Sequence, residues 1–190
     1  MKIILASGSP RRKELLSKLV KDYEIIKSDF DETELKEKEK NPEKLVKQLS
    51  VKKAESVLSN IKENYKDFTI IAADTIVYFN GNTLGKPKDE KDAFNMLQKL
   101  QGKDNYIYTG MTVIINKNDK LLVQTIIDKI TVTMKKLTDK EIIDYIDTKD
   151  PLDKAGAYAI QGIGSKNIEK CEGNYNAGIG LNIEVLEKIF

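Results

Sequence analysis

No histidine occurs anywhere in the 190 residues, and there is a single cysteine, Cys171. The first absence rules out a Ser-His-Asp triad, a Cys-His dyad and any histidine-ligated metal. The second rules out an intramolecular disulfide and a cysteine-rich zinc site. Any metal must therefore sit on oxygen ligands, which points to a divalent cation such as Mg²⁺ or Mn²⁺. General acid or base work falls to carboxylates, Lys or Tyr. An excess of one charge is missing too. With 32 basic and 30 acidic residues the net charge is only +2, whereas a non-specific nucleic-acid binder usually shows a basic excess, so no nucleic-acid partner is expected. Gly and Pro are few, 11 and 4, in a chain that is 40% hydrophobic and 33% charged, an ordinary globular composition rather than a disordered one. No apolar stretch approaches the length of a bilayer span, and the opening Met1-Lys2-Ile3-Ile4-Leu5-Ala6 is too short for a signal peptide. A cytoplasmic protein with no membrane partner is expected. This length can bury a real core as one domain or two closely fused lobes.

The pattern along the chain mixes strands and helices. Lys2 to Ala6 reads as a short buried strand, broken by Ser7-Gly8-Ser9-Pro10 and followed by a helix with Leu15, Leu16 and Leu19 on one face. Ser9 suits the N-cap and Pro10 the first helical position. A second strand is expected from Tyr23 to Lys27, then an acidic turn, Asp29-Phe30-Asp31-Glu32. Helical spacing of Leu45, Val46, Leu49, Ala54, Val57 and Leu58 predicts a helix from Pro42 to about Asn60. Phe68 to Ala73 reads as a central strand that Thr75 to Phe79 continues past Asp74, with Asn80-Gly81 as a hairpin turn. A further amphipathic helix carries Ala93, Phe94, Met96, Leu97 and Leu100. Two β-rich runs, Tyr106 to Ile115 and Leu121 to Met134, meet at the Asn116–Lys120 turn. Thr138-Asp139-Lys140-Glu141 has the form of a capping box opening a helix to Asp147. Short glycine-punctuated strands are expected from Ala155, and a last helix from Ile183. Without strict alternation or repeats, these elements predict an α/β fold with a mixed sheet in one domain, residues 1–190.

Three segments can carry chemistry. In Ser7-Gly8-Ser9-Pro10-Arg11-Arg12, a small-residue turn between strand and helix offers backbone N–H groups, a favourable dipole and two guanidiniums to an anion. A capped helix with two solvated arginines fits the same residues. In Ala72-Ala73-Asp74-Thr75 a carboxylate interrupts an apolar β run. Burying it costs free energy unless it is paired, hydrogen-bonded or metal-bound, so it is either a site residue or the cap of a strand that ends there. In the run from Asp153 to Gly162, Gln161 has an amide able to read a nucleobase edge, and an ordinary strand with a terminal turn fits as well. Gly81-Asn82-Thr83-Leu84-Gly85-Lys86 superficially resembles a phosphate-binding P-loop. It has one residue too few between its glycines, and Pro87 stands where Ser or Thr is needed.

Taken together and in order, these segments resemble the Maf family of nucleotide pyrophosphatases. Leu5-Ala6-Ser7-Gly8-Ser9-Pro10-Arg11-Arg12 is similar to its N-terminal signature. Ala73-Asp74-Thr75, Gly85-Lys86-Pro87, Thr109-Gly110 and the run from Asp153 to Gly162 are similar to its later blocks. The resemblance implies an elongated mixed sheet with flanking helices, in two lobes around a central cleft like the inosine triphosphate pyrophosphatases, usually as a homodimer. It implies hydrolysis of a nucleoside triphosphate to the monophosphate and pyrophosphate with a divalent cation. Asp74 would accept the proton and, with Glu32, hold metal. Ser9, Arg11, Lys53 and Lys86 would line the phosphate site. Arg12, Thr75 and Gln161 are similar to the branch acting on dTTP and UTP, whereas the branch favouring 7-methyl-GTP carries Trp-Arg in place of Arg11-Arg12. Family members have also been linked to septum formation, which leaves a nucleotide-sensing regulator as the alternative. Two departures stand out. Asn105 occupies the place of a frequent His, which argues against a catalytic role there. Gly180-Leu181-Asn182 stands where Gly-Leu-Pro is common, which puts the local turn in doubt while leaving the chemistry elsewhere.

Overall fold

The strand that interrupts its own apolar pattern lies at the centre of the sheet. The computed structural model describes residues 1–190 and holds one seven-stranded mixed sheet flanked by helices. Its strands are β1 (Lys2–Leu5), β2 (Glu24–Ile25), β3 (Phe68–Phe79), β4 (Asn82–Leu84), β5 (Asp104–Lys117), β6 (Lys120–Met134) and β7 (Ile168–Glu172). They are ordered β2-β1-β3-β5-β6-β7, with β4 paired to β3. The helices are α1 (Pro10–Ser17), α2 (Thr33–Lys38), α3 (Pro42–Ile61), α4 (Glu90–Leu100), α5 (Asp139–Asp147), α6 (Tyr175–Ile179) and α7 (Ile183–Leu186). This is the expected α/β class. The chain forms two compact units, one of Met1–Thr75, Thr109–Asp128 and Gly180–Phe190, the other of Ile76–Tyr108 and Lys129–Ile179. Both are discontinuous, so neither is a separable stretch of sequence.

In the first unit β1 runs parallel to both neighbours, with Leu5 opposite Ile71 of β3 and Ile25 of β2. Side chains alternate across a strand. Even-numbered Phe68, Ile70 and Ala72 of β3 therefore share one face, where they pack with Ala54, Val57 and Ile61 of α3. Asn41 caps α3 by accepting from the Lys44 N–H at 2.9 Å. Gly110 of β5 lets the helix come close: a Cβ there would lie 2.2 Å from the Val46 carbonyl oxygen. Ser50 and Thr112, both fully buried, then share a 2.9 Å hydroxyl bond.

The second unit closes around Val77, Leu97, Leu100, Val132, Ile142 and Tyr158. Asn80 and Gly81 both take positive φ, 47° and 80°, as the tight hairpin turn into β4 requires. Thr138 and Glu141 form the expected reciprocal capping box. Asn105 is fully buried, accepts from the Tyr158 hydroxyl at 2.6 Å and donates to the Val132 carbonyl at 3.2 Å. Its role there is to satisfy buried polar groups.

Several expectations need correction. The stretch from Ala155 is not a series of strands. It makes 3-10 turns at Ala155–Ala157 and Gly162–Asn167 before the single strand β7 and the short helix α6. Glycines at positive φ, Gly156 and Gly162 among them, break extended pairing there. The β5–β6 turn narrows to Asn118 and Asp119, both at positive φ. Helix α2 follows the acidic turn unannounced, because its sequence Thr33–Lys38 buries no residue and so has no apolar stripe to read. Ser9 occupies the N-cap of α1 by its backbone, yet its side chain caps nothing.

Candidate active site

Strand β1 ends at Leu5, opposite Ile71 of β3, and the candidate residues of the first unit gather just beyond that end, where β3 continues without it past Asp74 to Phe79. Asp74 lies inside β3, which rules out the reading of a strand that stops there. Its even number puts it on the α3 face. Val46, Ser50 and Lys53 of α3 form an i, i+4, i+7 stripe toward the sheet. Val46 covers Gly110, Ser50 meets Thr112, and Lys53 reaches Asp74.

Lys53 is the hinge of the charge network. Its ammonium is 2.6 Å from Asp74 Oδ1 and 2.6 Å from Glu32 Oε1, and its side chain is only 13% exposed. Lys36 pairs with the other Glu32 oxygen. Burial pushes the Glu32 carboxyl up, but hydrogen bonds from Lys36 and Lys53 outweigh it and leave the group below its ordinary value of 4.5. The loop before Glu32 is tied to the same helix, since the Ser28 hydroxyl and the Asp29 N–H both meet the Ser56 hydroxyl, at 3.1 and 3.3 Å. Asp74 is 6% exposed, and its Oδ2 is buried without a hydrogen-bond partner. Such an atom is costly to leave bare, which marks it as an acceptor awaiting a ligand.

The Glu32 pairing makes a stability prediction. A depressed carboxyl contributes stability above its unfolded-state pKa and loses it as pH falls through the folded value. Urea midpoints of wild type and Glu32→Gln should therefore differ most near pH 7 and converge below 4.5. A gap that stays constant down to pH 3 would rule the pairing out as a source of stability.

Thr75, one residue on, points to the opposite face of β3 and meets Arg12. The Arg12 guanidinium donates through Nε to the Gly180 carbonyl at 2.9 Å, through Nη1 to Ser7 Oγ at 3.2 Å and through Nη2 to Thr75 Oγ1 at 3.2 Å. Thr75 in turn shares a 2.9 Å hydroxyl bond with Thr109. Burial lowers the Arg12 pKa, the nearby Asp74 charge opposes this, and Arg11 lowers it further. Arg11 itself sits in the first turn of α1, partly exposed beside Ser9.

The structure thus brings together Asp74, Lys53 and Glu32 on one face of the sheet, with Arg12 and Thr75 on the other. Lys86 and Gln161 belong to the second unit. Lys86 is exposed in the loop after β4, and Gln161 precedes the 3-10 turn at Gly162–Asn167. Sequence reasoning missed Ser7, Thr109, Ser50 and Gly180 as partners. The readable signal for Thr109, and for Thr112 that partners Ser50, was a hydroxyl inside the apolar run Tyr106 to Ile115. The C-terminal segment was placed away from the chemistry. It is nonetheless tied to a site residue, through the Gly180 carbonyl on Arg12.

A central carboxylate held by lysine just past the end of β1, with an arginine knotted into the turn after that strand, is the constellation that the α/β sheet sets out. The family model described as Maf-like protein matches residues 2–190, and the chain belongs to the Maf family. It is similar to the dTTP/UTP pyrophosphatase of Clostridium novyi (strain NT), 46% identical over 100% of this chain and 96% of that protein. It is also similar to the dTTP/UTP pyrophosphatase of Thermoanaerobacter sp. (strain X514), 47% identical over 98% and 93% of the two chains. A third, from Caldicellulosiruptor bescii, is 44% identical over 95% and 88%. Among solved structures, a nucleoside-triphosphatase (dITP/XTP pyrophosphatase) from Mycobacterium abscessus covers 100% of this chain and 92% of its own at a TM-score of 0.42 and 12% identity. That likeness is too distant to bear on the fold.

Proposed function

We propose that this chain is a nucleoside triphosphate pyrophosphatase acting on dTTP and UTP, releasing pyrophosphate and leaving the monophosphate. The observation that carries the chemistry is the Asp74 carboxylate, held by Lys53 through one oxygen while the other is buried without a partner. The substrate class is supported by the relatives' names. Ser9 and Arg11, at the start of α1, together with Lys53 and Lys86 offset charge on the phosphates. Asp74 Oδ2 takes a proton from a water directed at the α-phosphorus, and pyrophosphate departs. Phosphoryl-type transfer needs positioning and electrostatics more than covalent help, so a site without histidine suffices.

A divalent cation, Mg²⁺ or Mn²⁺, belongs to the same reading. The bare Asp74 oxygen and the neighbouring Glu32 suit it, since Mg²⁺ is commonly held by one or two carboxylates plus substrate phosphates. When bound, it would neutralise charge on the phosphate oxygens. Arg12, Thr75 and Gln161 choose the base. A homodimer and a cytoplasmic setting are part of this proposal. The first draws support from the exposed Leu121, Leu122, Val123 and Ile127 on β6. For the second, no helix is long and apolar enough to cross a membrane.

A panel of canonical and modified triphosphates, assayed for pyrophosphate release with Mg²⁺ and with Mn²⁺, tests the function. Release from dTTP and UTP should exceed release from purine triphosphates. Dominant turnover of a purine would overturn the base assignment. Binding without release of pyrophosphate would instead favour the nucleotide-sensing regulator.

A further inference from the structure

A guanidinium has five N–H donors in a rigid plane. In Arg12 three of them are committed, to Gly180, Ser7 and Thr75. These bonds leave one N–H on each terminal nitrogen and fix the directions in which they point. A planar donor pair so aimed suits a carbonyl oxygen, the group that thymine and uracil present and adenine lacks. Two of the three anchors, Ser7 and Thr75, border the site directly. The third, Gly180, comes from the far end of the chain.

The Gly180 segment is itself held by a device that plays no part in the chemistry. Asn182 is 4% exposed and donates its amide to both oxygens of Asp128, at 3.1 and 2.9 Å. Its Oδ1 accepts from the Val185 N–H at 3.0 Å and caps α7. One side chain thus ties the turn after Gly180 to the middle of β6 and starts a helix. Gly180 has φ of 136°, and a Cβ there would meet Arg12 Nε at 3.2 Å and Thr75 Oγ1 at 3.6 Å. A side chain at this positive φ would be strained and would press the guanidinium aside by a few tenths of an ångström.

We infer that the Asp128–Asn182 pair is a positioning element for base selection: it sets the Gly180 carbonyl, which sets the plane of Arg12. This rests on the reading of Arg12 as a base-selecting residue.

Asn182→Asp separates the two roles of the residue. It keeps an acceptor for the Val185 N–H but sets a carboxylate against Asp128. The pair Asp128→Asn with Asn182→Asp restores an amide–carboxylate bond with donor and acceptor exchanged. The single variant should lower the ratio of kcat/KM for dTTP over dATP by about tenfold, mainly through the KM for dTTP, as expected for a displaced polar contact. The double variant should recover most of that ratio. Equal melting curves for wild type and the double variant keep the comparison valid even where the single variant folds poorly. An unchanged ratio in a folded Asn182→Asp protein overturns the inference, as does a folded double variant that stays unselective. Arg12→Ala, assayed alongside, separates the two levels. If it alone shifts the ratio, the positioning role fails and the Arg12 reading survives. If even Arg12→Ala leaves the ratio intact, the Arg12 reading fails and the inference falls with it.

Discussion

Asp74→Asn should fold as the wild type does and lose pyrophosphate release by about 10²- to 10⁴-fold, the usual worth of a positioned general base. The substitution keeps the shape of the side chain, and its amide oxygen can still accept from Lys53, now 2.6 Å away. Glu32 continues to pair with the same ammonium, so no buried cation is stranded. What disappears is the second carboxylate oxygen, the one buried without a partner. In its place stands an NH₂ group that cannot take a proton from water. The loss should fall chiefly on kcat when assayed at saturating Mg²⁺, because the residues assigned to phosphate and base are untouched and excess cation offsets the ligand lost with the carboxylate. Thermal melting checks the fold and a pyrophosphate assay checks turnover. Release at near wild-type rate from a folded Asp74→Asn protein would sink the assignment of the base.

How far the site could be read from sequence depends on the kind of signal each residue leaves. Asp74 was legible because a charge inside Phe68–Phe79 breaks a hydrophobic pattern, and a break needs an explanation. Lys53 was not legible in the same way. In a helix rich in lysine it looks like its neighbour Lys52, which does stay at the surface with Glu55. Only the packing of α3 on the sheet tells them apart, and that packing depends on Gly110 and Thr112, far along the chain on β5. Glu32 has the same history: an acidic turn reads as solvated until Ser28, Asp29 and Ser56 are seen tying it to α3. The resemblance to a family pointed at Lys53 and Glu32 where local chemistry could not.

Strand periodicity explains a division that the dipeptide Asp74-Thr75 conceals. Neighbours on a strand face opposite ways. The carboxylate meets the lysine and glutamate on the α3 side, while the hydroxyl meets Arg12 and Thr109 on the other. One backbone segment thereby serves two networks that share no side chain. The all-polar helix α2 and the 3-10 turns after Ala155 were missed for a different reason. The first buries nothing, and the second is governed by glycine dihedrals, neither of which appears as hydrophobic period.

The longest chain of dependence runs through Gly110, and Gly110→Ala should test it. The added methyl carbon would lie 2.2 Å from the Val46 carbonyl oxygen and 2.6 Å from its carbon. Both are backbone atoms of a helix, so no rotamer change relieves the clash, and α3 must lift from β5. Overpacking of this kind costs about 2–3 kcal/mol, which should lower the melting temperature by roughly 5–10 °C in a chain of this size. The lift is felt along the whole inward stripe of the helix, first at the 2.9 Å Ser50–Thr112 bond and then at Lys53. A displacement of about 1 Å between groups that must align can cost on the order of 10²-fold in rate. Turnover measured well below the melting transition should therefore fall by more than the loss of folded protein explains. Ser50→Ala gives the comparison, since it removes a hydroxyl bond without pushing the helix away, and it should cost stability while sparing most of the activity. A Gly110→Ala protein that melts and turns over like the wild type would show that the close approach of α3 to β5 does not set the position of Lys53.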